Sequence, residues 1–147
     1  MKSVHNWAGV VFSVSLLYSM RHYLADALHY DADDRKWFMV AGGYLSHKVK
    51  VPPIGKYNPG QKLYYLIILL AGIAIALSGF AIWFMKDNGS MMLLAHLVHN
   101  VAFIVFVIVV PVHIYLGTLA NPGTFGIMVT GTMPLETAKK RHPKWIS

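Results

Sequence analysis

The chain has 147 residues, of which 56% are hydrophobic and 13% charged, a charged share too low for an ordinary water-soluble domain. It has no cysteine, which excludes disulfides, iron–sulfur ligation and thiolate metal sites within it, so any metal must be held by histidine, methionine or a partner subunit. The net charge of +7 does not point to nucleic acid, because the basic residues flank apolar runs and form no stripe with interleaved aromatics. They read instead as the lysines and arginines that fix orientation in a lipid bilayer.

The first apolar run extends from about Val4 to Met20 and meets no charge until Arg21. Its opening, Lys2-Ser3-Val4, resembles the start of a signal peptide, but Tyr18, Met20, Arg21 and His22 stand where small cleavage-site residues would be needed. A retained helix is expected, continuing in polar form through Ala25-Asp26-Ala27. The second run, Leu63 to Met85, is long enough to span with some tilt. Its Gly72 and Ser78-Gly79 are small residues that let a neighbouring helix or a flat cofactor come close. The third, about Met91 to Leu119, contains Pro111, which is expected to bend it, and a turn at Asn121-Pro122-Gly123 ends it. No internal repeat or low-complexity segment is apparent. The expected fold is all-α: a single membrane domain of residues 1–147, built as an integral helical bundle. Its three transmembrane helices lie at about 4–24, 63–85 and 91–119, with a loop at 25–62 and a tail at 120–147.

Orientation follows from the basic residues. The loop between spans one and two carries Arg21, Arg35, Lys36, Lys48, Lys50, Lys56 and Lys62, and the tail carries Lys139, Lys140, Arg141 and Lys144. The connection between spans two and three has only Lys86, balanced by Asp87. The positive-inside rule therefore predicts a cytoplasmic loop and C-terminus, with the N-terminus and the Lys86–Ser90 turn outside.

Chemistry is concentrated in the histidines of the third span. His99 and His113 lie in a stretch, Asn88 to Leu135, without a single Asp, Glu, Lys or Arg. On an ideal helix they fall within about 40° of one face and ~21 Å apart along the axis. Titratable side chains inside a membrane helix are costly and usually mark function. Two on one face, near opposite sides of the membrane, point to two stacked cofactor sites, with haem the first choice. Bis-histidine ligation needs imidazoles on different helices at one depth. His5, opening span one, and His99, early in span three, meet that condition. His113 lies deeper, level with the basic loop. His96, one turn before His99, is a rival ligand or a donor to one. His22, His29, His47 and His142 lie in polar or basic sequence and are expected to be solvated.

The loop Gly55-Lys56-Tyr57-Asn58-Pro59-Gly60-Gln61-Lys62, leading straight into an apolar helix, resembles the cytochrome b (gamma) subunit of respiratory formate dehydrogenases. So do the helix opening His5-Asn6-Trp7-Ala8-Gly9, the His99–His113 pair and the tail Ala138-Lys139-Lys140-Arg141-His142-Pro143-Lys144-Trp145. The resemblance implies haem b held by His5 and His99 near the outer surface and a second haem held by His113 near the inner one. It further implies a quinone site, for menaquinone or ubiquinone, in the loop of Asn58, Gly60 and Gln61. The carboxamides can bond a quinone oxygen, and glycine lets the backbone approach the ring. Read without the resemblance, Asn58-Pro59-Gly60 is a turn before a helix.

The implied partners are an iron–sulfur (beta) subunit and a molybdenum- or tungsten-containing catalytic (alpha) subunit in a bacterial inner membrane. This chain would not itself break the formate C–H bond; its part would be quinone reduction. The family has four spanning helices, and this chain starts where its second would start. His113 is therefore expected to lack its family partner, as in a truncated product, a fragment or a variant completed by another chain. The histidine spacing also suits the b-type subunits of hydrogenases and related respiratory complexes. A non-haem membrane anchor and a histidine-lined transporter are the readings from other classes.

Overall fold

The computed structural model describes residues 2–46, 48–121 and 124–146. His47 and the Pro122-Gly123 part of the expected turn lie outside the described residues. Among the described residues all regular structure is helical: α1 (Lys2–Leu28), α2 (Ala32–Met39), a 3-10 turn (Ala41–Gly43), α3 (Pro59–Phe84), α4 (Gly89–Gly117) and the short α5 (Thr124–Thr130), α6 (Leu135–Arg141) and α7 (Pro143–Ile146). The all-α expectation therefore holds, and α1 does run on through the polar Ala25-Asp26-Ala27.

α3 and α4, of 26 and 29 residues, are long and apolar enough to cross a membrane. Only 17% and 11% of their most apolar stretches are buried, in contrast to the mostly buried core helix of a soluble protein. Phe103, Ile104, Val107 and Ile108 stand at least half exposed along α4, as lipid-facing side chains do. The 27-residue α1, expected as a third span, is long enough but does not reach the same apolar standard. His5 and Asn6 at its start, its serines, and Arg21 and His22 further on lower its apolarity. The Ser13 and Ser15 hydroxyls answer their own polarity, donating to the carbonyls of Gly9 (2.8 Å) and Val11 (2.9 Å).

The chain forms two compact units, one of residues up to 24 with 66–112, the other of residues 25–65 with 113 onward. In the first, small residues bring the long helices together. A Cβ on Gly72 would stand 3.0 Å from Leu16 Cδ1 and 3.3 Å from Phe12 Cζ, so glycine sets how closely α1 and α3 approach. Ala95 and Ala102 of α4 are buried in the same way. Edge-to-face pairs, Trp7 with Trp83 (6.2 Å) and Phe12 with Phe106 (6.0 Å), close the seams.

The second unit is held by caps and ion pairs. Asp31 caps α2, its carboxylate accepting from Asp33 N–H (2.9 Å) and Asp34 N–H (2.8 Å), while Asp34 Oδ2 accepts from Asp31 N–H (3.1 Å). The same Asp34 oxygen takes Lys62 Nζ at 2.6 Å, and Lys62 also donates to His29 O at 2.7 Å. From the tail, Lys144 Nζ reaches Asp31 and Asp33, each at 2.7 Å. The hydrogen bond from Lys144, followed by that from Asp34 N–H, lowers the Asp31 pKa to about 2. Lys144 likewise lowers Asp33, and its own pKa is raised by its bonds to the two carboxylates. His142, expected in solvent, is half-buried instead, with Nδ1 2.7 Å from Gly55 O. The Gly55 carbonyl, 87 residues away, gives that histidine a partner which tail composition does not reveal.

Candidate functional site

His5, on the first turns of α1, and His99, on α4, come together in the first unit. Their ring centres are 6.1 Å apart with planes at 74°. Two imidazole nitrogens on one metal, each at about 2.0–2.1 Å, leave the ring centres roughly 6 Å apart. The separation of the two rings is thus compatible with both imidazoles serving one metal. A cavity of about 720 Å³ adjoins it, lined by His5, His96, His99, Gly79, Phe80 and Phe106 among others, with Lys2, Asn6 and Lys86 at its polar part. That volume lies in the ordinary range for cofactor pockets, about 300–1,000 Å³. Among the described residues no three His, Cys, Asp or Glu side chains gather as an ion site. The donors present are two imidazoles, a set that would suit haem, whose ring supplies further nitrogen ligands of its own.

Helix α3 shapes this site around His99. A Cβ on Gly79 would lie 3.3 Å from His99 Cε1, so the small residues at 78–79 admit the histidine ring itself. His99 Nδ1 stands 3.1 Å from Ile75 O and 3.1 Å from Ser78 Oγ, and Ser78 is buried. His96 lines the same cavity from an exposed position.

The remaining expected site residues lie in the second unit. His113 is half-buried and stacks on Tyr64, ring centres 3.8 Å apart and planes within 7°. Asn58 and Gln61 form a reciprocal cap: Asn58 Oδ1 accepts Gln61 N–H (2.8 Å) and Gln61 Oε1 accepts Asn58 N–H (2.9 Å). Pro59 fills the first helical position, where its missing N–H costs nothing, and is fully buried. Gly60 makes room for Trp37, whose Cη2 would stand 2.9 Å from an added Cβ. Both carboxamide oxygens are thus engaged in starting α3, while each still carries an NH₂ donor. His22 and His29 are exposed, as expected; His22 Nδ1 donates to Tyr18 O at 2.8 Å.

Sequence reading passed over Ser78 as a neighbour of His99, Tyr64 as the partner of His113, and the buried Lys62–Asp34 pair. Only Lys62 carried a signal, being a lone cation at the mouth of an apolar run.

The sequence model of the prokaryotic cytochrome b561 family matches residues 1–131. Among curated proteins, the cytochrome b556(Fdn) subunit of the nitrate-inducible formate dehydrogenase of Escherichia coli K12 is 25% identical over 97% of this chain and 67% of its own length. The cytochrome b556(fdo) subunit of formate dehydrogenase from the same strain is 29% identical over 97% of this chain and 68% of its own. The formate dehydrogenase cytochrome b556 subunit of Haemophilus influenzae is 26% identical over 98% and 62%.

Proposed function

As this chain belongs to the prokaryotic cytochrome b561 family, and is a multi-pass membrane cytochrome b of electron transport, we propose that it serves a formate dehydrogenase complex, taking electrons from an iron–sulfur subunit and delivering them to a membrane quinone. The observation that carries this reading is the His5–His99 pair at 6.1 Å beside the cavity. His5 and His99 hold haem b; when bound, it supplies one-electron exchange at a potential tuned by its ligands and surroundings. The relatives' names favour formate over hydrogen as the donor's substrate.

The chain's own residues then orient and insulate. Gly79 and Phe80 shape the wall beside the rings, and lipid-facing side chains keep water from the helices. In the second unit, His113 is the candidate ligand of an inner haem, and Asn58, Gly60 and Gln61 form the candidate quinone segment. The carboxamide NH₂ groups left over from the cap can donate to a quinone oxygen. Each quinone reduced takes two electrons and two protons. With the basic loop and tail cytoplasmic, in a bacterial inner membrane, those protons come from the cytoplasm. If formate oxidation releases protons outside, the two half-reactions charge the membrane without a pump. The three-span topology, one membrane domain of residues 1–147, belongs to the same proposal; a tag showing the C-terminus on the outer side would overturn it.

The deciding experiment is a reduced-minus-oxidised visible spectrum of the purified complex with haem counted per chain. One b-type haem, lost in both His5→Ala and His99→Ala, supports the outer site; two haems mean that His113 has found a partner. An intact complex without haem leaves a plain anchor.

A further inference from the structure

His99 Nδ1 lies 3.1 Å from a backbone carbonyl oxygen, that of Ile75. A carbonyl oxygen only accepts, so Nδ1 must carry the proton; the opposite tautomer would set two lone pairs against each other in a half-buried site. In neutral imidazole the proton on Nδ1 leaves Nε2 bare, and Nε2 is then the nitrogen free to bind a metal. Ser78 Oγ is the second oxygen at Nδ1, also at 3.1 Å. Its one hydrogen has a nearer use, since Oγ stands 2.6 Å from Ala74 O, one helical turn back. With that hydrogen committed, Oγ turns a lone pair toward His99. Ser78 is only 6% exposed, so water does not compete for the position.

Resting on the assignment of His99 as a haem ligand, we infer that Ser78 is a positioning residue which, with the Ile75 carbonyl, locks His99 in the Nδ1–H form and aims Nε2 at the metal. The two acceptors do different work. Ile75 O alone suffices to choose the tautomer. The Ser78 oxygen shares the proton from the side and adds electron density to the ring, which makes the imidazole a stronger donor to the metal. A stronger donor favours the oxidised metal and lowers the reduction potential. Gly79 fits the same scheme: any larger residue would push on His99 Cε1 and turn the ring off both acceptors.

The test compares the purified membrane complex carrying Ser78→Ala or Ser78→Thr with the unaltered complex, reading haem per chain, the low-spin spectrum and the midpoint potential of the haem. Ser78→Ala should keep its haem and low-spin signature, because Ile75 O still selects the tautomer, but its potential should move positive. Ser78→Thr keeps the hydroxyl and should return the potential to the unaltered value. An unchanged potential in Ser78→Ala, or an equal shift in both variants, overturns the inference. Should Ser78→Ala fail to accumulate, Ser78→Thr decides alone: the unaltered potential supports the role and a shifted one overturns it. His99→Ala tells the two levels apart. If that variant keeps its haem, the ligand assignment itself has failed, whatever Ser78 does.

Discussion

Replacing Lys62 by methionine should open the second unit far more than the loss of a surface ion pair would. Exposed pairs contribute about 0–1 kcal/mol. The Lys62 side chain is only 11% exposed and that of Asp34 5%, with 2.6 Å between them, so the cost to weigh is that of a buried charge left alone. Removing one partner of such a pair costs about 3–5 kcal/mol. Lys62→Met also takes away the donor that satisfies His29 O, while the Asp34 oxygen keeps only the Asp31 N–H. At about 1.4 kcal/mol per tenfold, even the lower figure corresponds to roughly a 150-fold rise in local opening. Hydrogen–deuterium exchange of the α2 amides in the detergent-solubilised complex reads that opening directly. Exchange in Lys62→Met should accelerate by two orders of magnitude or more. The double variant Lys62→Met/Asp34→Asn should recover most of the protection, since no unpaired charge remains and the asparagine oxygen still caps. Acceleration of fivefold or less in Lys62→Met, about 1 kcal/mol, would refute the burial argument and place the pair among surface contacts.

Asn58→Asp separates the two roles of its residue: aspartate caps a helix as well as asparagine does but has no NH₂ to offer a quinone. α3 should stay intact, while the KM for quinone rises by about two- to tenfold, the range of one hydrogen bond; unchanged steady-state kinetics would confine Asn58 to capping. The tail tether should resist acid. Asp31, held at about 2 by Lys144, contributes its stabilisation in full above the unfolded carboxylate value, and loses it as pH falls through the folded one. Exchange protection of the amides of residues 144–146 should therefore persist down to about pH 4 and disappear between about pH 4 and 2. Loss already at pH 5–6 would mean that the Lys144 bonds do not hold.

How far the sequence could be read depended on the range of the interaction behind each feature. Uninterrupted apolarity is local, so α3 and α4 were visible as spans. Their ends were less so: α3 starts at Pro59 and not at 63, because the cap built by Asn58 and Gln61 is polar and a search for apolar runs ignores it. The pairing of His5 with His99 was accessible through depth, which follows from topology and the helical rise. Ser78 was legible only as a small residue. Its bond to His99 spans 21 positions and depends on how α3 and α4 are rotated, which no local pattern records. The same holds for Tyr64 against His113, and for His142, whose partner Gly55 lies 87 residues away.

The His5–His99 site is not held equally from its two sides, and that asymmetry has a consequence. His99 is half-buried with two oxygens of α3 at its Nδ1, whereas His5 sits exposed on the first turns of α1. If both are ligands as proposed, His99 is preorganised and His5 is brought to it where α1 packs against α3 through Gly72. Removing His5 should leave a fixed ligand facing an open position that a free imidazole can enter from the exposed side. Removing His99 takes away the ligand around which the small residues at 78–79 are shaped. Adding imidazole to the purified His5→Gly complex should thus restore the low-spin spectrum and retain haem, and the same addition to His99→Gly should not. Equal rescue of both variants would show that the oxygens around His99 contribute no preorganisation and that the two histidines are interchangeable. Rescue of His99→Gly alone would reverse the assignment of the fixed and the recruited ligand.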